Sequence, residues 1–60
     1  MTVADFLSVL EFDENVAIID SEYDALFEGV SQNVPEEFNN CVIDSVFSGH
    51  DEDVLFIRVR

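Results

Sequence analysis

The 60-residue chain contains no lysine and no tryptophan, and its only basic side chains are Arg58 and Arg60 in the last three positions. Met1–Ile57 therefore carries all 14 acids without one Lys or Arg, and the formal net charge is −12. Direct binding to nucleic acid through its phosphates is excluded, because nothing would neutralise them. A single cysteine, Cys41, excludes an intramolecular disulfide. A secreted domain of this size would ordinarily need several bridges, so a reduced, cytoplasmic protein is expected. The longest uninterrupted apolar runs, Val16–Ile19 and Val54–Ile57, have four residues, too short to span a bilayer. The N-terminus lacks the basic and long apolar segments of a signal peptide. Anionic lipid head groups would repel so acidic a surface. Glycine occurs only at 29 and 49, which leaves no P-loop or GxGxxG phosphate cradle.

What is present is a high share of core-forming residues. Hydrophobic residues make up 48% of the chain, far more than an acidic disordered tail would contain. The length suits a single domain, residues 1–60, with one small core.

Thr2-Val-Ala-Asp5 has the form of a capping box, with Asp in the place of the usual Glu or Gln. Val3, Phe6, Leu7 and Leu10 follow at i, i+3, i+4, i+7 spacing, which predicts an amphipathic helix over roughly 3–11. Strands are predicted at 16–20 and 25–28, joined by a turn at 21–24. Pro35 followed by Glu36 and Glu37 predicts one or two helical turns, pinned to the core by Val34 and Phe38. Cys41–Ser48 and Val54–Arg60 read as a second hairpin around a polar turn at 49–53. The order α-β-β-α-β-β predicts an α+β fold: a four-stranded antiparallel sheet with one main helix packed on one face.

Strand parity divides the side chains. Ala17, Ile19, Ala25 and Phe27 are wholly apolar and are expected beneath helix residues Phe6, Leu7 and Leu10. The opposite face would combine Val16, Ile18, Leu26, Val42, Val46 and Phe56 with Asp20, Asp24, Glu28, Asp44 and the two arginines. An apolar patch rimmed by charge marks an interaction surface. Arg58 or Arg60 is expected to pair with Asp44 across the second hairpin.

No catalytic constellation emerges. His50 stands alone, without a second His or Cys to complete a zinc site, and reads as part of a solvated turn. Asp51-Glu-Asp53 and Asp13-Glu-Asn15 lack the spacing of a calcium loop. Paired carboxylates for glycosidic chemistry would need a cleft that so short a chain can hardly form. A non-enzymatic protein with no cofactor and no metal is expected.

The acids remain. Asp20, Glu22, Asp24 and Glu28 share even parity, and residues two apart on a strand lie about 6.6 Å apart. Regularly spaced carboxylates can imitate a phosphate backbone and occupy a basic nucleic-acid groove. Asp20, Glu22, Asp24, Glu28, Glu36, Glu37, Asp44, Asp51, Glu52 and Asp53 are the candidate contacts. A merely solvated acidic surface is the plainer reading of the same residues. The alternative function is a homodimer or assembly module using Val16, Ile18, Leu26, Val42, Val46 and Phe56.

The segment Thr2-Val-Ala-Asp-Phe-Leu-Ser-Val-Leu, followed by Phe12-Asp-Glu-Asn-Val-Ala-Ile-Ile-Asp20, resembles the opening of small acidic proteins of phages and mobile elements. Some of those are anti-CRISPR or anti-restriction proteins that mimic DNA. The resemblance implies an inhibitor acting in the host cytoplasm on a nucleic-acid-binding protein, and assigns no residue a role.

Self-repulsion at this charge opposes the compact state. Added sodium chloride is therefore expected to raise the thermal midpoint. Screening worth about 1 kcal/mol corresponds to about 4–8 °C in a domain of this size, measured by circular dichroism at two salt concentrations.

Overall fold

The computed structural model describes residues 1–49 and 53–60. His50, Asp51 and Glu52, expected in the second hairpin turn, lie outside the described residues. The elements are helix α1 (Val3–Ser8), strands β1 (Asn15–Ile19) and β2 (Ala25–Val30), two 3₁₀ turns (Ser31–Asn33 and Glu36–Phe38), and strands β3 (Ile43–Ser48) and β4 (Leu55–Val59).

Helix α1 begins where the capping box places it. The Asp5 N–H donates to the Thr2 hydroxyl and the Thr2 N–H donates to the Asp5 carboxylate, both at 3.2 Å. The helix is shorter than its apolar spacing suggests. The Val9 and Leu10 amides donate to Phe6 and Leu7 carbonyls, so the last turn tightens to i→i+3 bonding and stops. Continuing to residue 11 would bring Glu11, Asp13 and Glu14 toward the negative end of the helix dipole. The expected second helix is two separate 3₁₀ turns, with Glu36 and Glu37 in the first turn of the second.

The sheet order is β2-β1-β4-β3. Each hairpin is antiparallel, but β1 and β4 run parallel, with Val16 opposite Leu55 and Ile18 opposite Ile57. The expectation of an all-antiparallel sheet is thus corrected to a mixed one. The two outer strands turn back on the two inner ones, and the segment between β2 and β3 crosses over to make the inner pair parallel.

This pairing also reverses the predicted faces of β1, while Phe27, Phe56 and Arg58 lie on the faces expected of them. The core consists of Val3 from α1, Val16 and Ile18 from β1, and Ile57 and Val59 from β4, none more than 2% exposed. Phe6, Leu7, Phe27, Val34, Phe38, Cys41, Ile43 and Leu55 pack around it. Val16 and Ile18 therefore lie in the core beneath the helix and offer no contact surface. Ala17 and Ile19, expected there, point to the opposite, helix-free face. All four residues Val16–Ile19 are buried, as in a central strand flanked on both sides. Phe27 joins the core, and its ring lies over Gly29, where an added Cβ would stand 3.0 Å from the ring. Irregularities between Ile18 and Ile19 and between Ile43 and Ser45 reset parity in both hairpins.

The chain start is tied to the sheet. The Val3 N–H donates to the Cys41 carbonyl at 3.0 Å, and the Ile43 N–H to the Met1 carbonyl at 2.8 Å. Thr2 also bridges Val42. Thr2→Ala is expected to cost about 1 kcal/mol at neutral pH in a denaturant titration. The Asp5 carboxyl is held below its ordinary range, first by the Thr2 backbone N–H and then by the Thr2 hydroxyl. A lowered folded-state pKa stabilises above the unfolded value and is lost as pH falls through the folded value. Thr2→Ala keeps the backbone donor, so only the smaller part of its gap to the parent, the part that comes from the hydroxyl, should narrow in acid.

Candidate interaction surface

Of the twelve described carboxylates, eleven are exposed and Asp20 is half-buried. They fall into groups with different local tasks. Asp20 begins the first hairpin turn. One of its carboxylate oxygens, Oδ1, accepts from the Glu22 N–H at 2.8 Å and the Asp24 N–H at 3.0 Å. The Tyr23 N–H donates to the Asp20 carbonyl at 3.0 Å, and the Asp20 N–H to the Asp24 carbonyl at 3.0 Å. This is a three-residue hairpin loop whose last position requires a left-handed backbone. Tyr23 occupies it, at φ 67°. Glycine is the usual occupant, and a side chain there costs roughly 1–2 kcal/mol. Asp20 is therefore a structural carboxylate, already engaged in holding the turn. The regular even-parity ladder expected from Asp20 to Glu28 is broken by this loop and by the bulge beside it.

The exposed Tyr23 ring serves Arg58. The guanidinium carbon lies 5.1 Å from the ring centroid. The same guanidinium stands 3.3 Å from the Asp44 carboxylate and reaches the Ser21 carbonyl at 3.5 Å. The predicted Arg58–Asp44 pair is thus present, although partial exposure limits it to about 1 kcal/mol or less. Among the described residues, Arg58 Nε is buried without a partner. Half of the chain's basic side chains are spent inside its own surface.

Glu22, Asp24, Glu28, Glu36, Glu37 and Asp53 are exposed. Glu22 and Asp24 flank Tyr23 at one end of the sheet. Asp53 lies at the other end, where it lines a shallow hollow with Glu14, Ser48, Val54 and Leu55. Glu36 and Glu37 lie on the crossover, so the structure distributes the candidate acids over several sides. Asp51 and Glu52 fall outside the described residues.

Among the candidate apolar contacts, Leu26, Val42 and Val46 are exposed by 47%, 42% and 38%, while Phe56 is half-buried. Phe47, missed in the sequence reading, is 40% exposed and stacks on Phe56, with centroids 5.3 Å apart and 13° between planes. The observed register sets 47 opposite 56, whereas a hairpin closed about the expected turn at 49–53 would set 47 opposite 55, so the stack was not legible in the sequence. The pair occupies the helix-free face with Ala17, Ile19 and Arg58. Val46, opposite Ile57, belongs to the helix side.

Among the described residues, no group of three or more His, Cys, Asp or Glu is placed to hold a metal ion. No described helix is long and apolar enough to cross a membrane.

Asp20→Ala is expected to lower stability by about 1 kcal/mol, since it strands two turn amides, whereas Asp20→Asn should cost much less because an amide oxygen also accepts in such turns. Paired thermal melts of the two variants separate this structural task from a simple loss of charge. Comparison of the chain with protein-family models, with curated proteins and with solved structures found no match in any of the three.

Proposed function

We propose that this chain is a non-enzymatic acidic binding protein that docks on a basic surface of a nucleic-acid-handling protein. An inhibitor that occupies a phosphate-binding groove, of the anti-CRISPR or anti-restriction kind, is its most concrete form. One observation carries the reading. The exposed carboxylates are almost uncompensated: among the described residues only Asp44 has an arginine partner, and that arginine is held within the chain's own surface. Ordinary acidic domains intersperse both signs. Here the formal charge is −12, and a field of that sign speeds encounter with a cationic partner and makes it salt-sensitive.

A second reading uses the exposed Leu26, Val42, Val46 and Phe47 for self-association. It has to press two chains of formal charge −12 together. Like-charge contact opposes that association, and the same field favours a basic partner.

The triple variant Glu22→Lys, Asp24→Lys, Glu28→Lys leaves the turn-holding Asp20 and the paired Asp44 untouched. It is expected to remain folded by circular dichroism and to lose capture of nucleic-acid-binding proteins from a host lysate. Capture by the parent should fall at high salt, where the Debye length shrinks to about 3 Å near 1 M, and duplex DNA should not itself be retained. Capture unchanged by salt and by the triple variant would overturn the reading.

A further inference from the structure

The helix-free face contains a groove that the chain does not fill itself. Glu28 of β2, Ala17 of β1, Phe56 of β4 and Phe47 of β3 stand in register as one row across the whole sheet. Ala17 has the shortest side chain of the row; it lines the bottom of the groove, where its taller neighbours leave it 2% exposed. Glu28 and Phe56 rise on either side of it. The groove between them has a volume of about 430 Å³ and runs toward Gly29 and Val54. Phe47 stacks against the β3 side of the Phe56 ring. That fixes the ring and leaves its other face toward the groove.

A carboxylate and an aromatic face across a small-residue floor match one side chain best. A guanidinium is flat, weakly hydrated and permanently charged; it stacks on rings and donates in parallel to carboxylates. An ammonium would use the carboxylate but gain less from the ring. The next row of the same sheet already shows the arrangement, with Arg58 between the Tyr23 ring at 5.1 Å and Asp44 at 3.3 Å. Row 58 is filled by the chain's own arginine. Row 56 presents the same two components, and neither arginine of the chain lines its groove.

We propose that the groove between Glu28 and Phe56 receives an arginine side chain projecting from the partner. The inference rests on the basic-partner reading and names the residue type that the partner presents. The surrounding acids steer the approach, while the groove selects arginine over lysine.

Titrating the ¹⁵N-labelled protein with a hexa-arginine peptide and a hexa-lysine peptide, followed by amide chemical shifts, tests this. The arginine peptide should move Ala17, Glu28, Gly29 and Phe56 first and bind several-fold tighter than the lysine peptide. Glu28→Gln and Phe56→Leu should each weaken the arginine peptide about tenfold, whereas Asp13→Asn, equal in charge to Glu28→Gln, should change it less than twofold. Should Phe56→Leu lose its native spectrum, Glu28→Gln against Asp13→Asn decides. Equal losses in Glu28→Gln and Asp13→Asn, or equal binding of the two peptides, would overturn the groove while leaving the basic-partner reading intact. Absence of binding by either peptide at low salt would overturn both.

Discussion

The parallel pairing of β1 with β4 is the constraint on which the rest of the structure depends. Setting Val16 opposite Leu55 and Ile18 opposite Ile57 brings the most buried side chains of the two inner strands onto one face, beneath α1. The same register puts Ala17 beside Phe56 and Ile19 beside Arg58 on the other face. Core, groove and the internal arginine site are consequences of one alignment. A slip by one residue would exchange the two faces of β1 and dissolve all three.

The local elements were legible because local chemistry writes them. The capping box marked the helix start, the β-branched runs marked the strands, and Val34 and Phe38 do pin the crossover to the core. The faces of β1 were not legible, because parity has to be carried from strand to strand and the partner of β1 lies 39 positions away at β4 (55 − 16). Two ladder irregularities then reset parity within the hairpins. A clue was present in the four-residue apolar runs Val16–Ile19 and Val54–Ile57. Such runs fit strands buried on both sides better than alternating outer strands.

The candidate acids divide in the same way. Counting charge treats Asp20 and Glu28 alike, yet Asp20 is occupied by two backbone amides and Glu28 faces an open groove. The distinction depends on what each carboxylate meets. An Asp at the start of Asp-Ser-Glu-Tyr-Asp is a turn-forming residue on its own chemistry, a signal available from the sequence. The Tyr23 conformation was not available, since a left-handed tyrosine runs against the usual preference. Its ring lies beneath the Arg58 guanidinium, so backbone strain in one hairpin is coupled to charge placement in the other.

The hydrogen bonds at Val42 and Ile43 carry a geometric consequence. The Ile43 N–H holds the Met1 carbonyl, and the Val42 carbonyl accepts from the Arg60 N–H at 3.1 Å. The two sides of a single peptide group, Val42–Ile43, thus clasp both ends of the chain at one pole, where β3 begins and β4 finishes. The Glu28–Phe56 groove opens toward Gly29 and Val54, at the other end of those strands. Anything joined to either terminus, whether a fused domain, a bead or further polypeptide, leaves from the side remote from the groove. Tethering by either end therefore orients the molecule the same way, with the groove end outward.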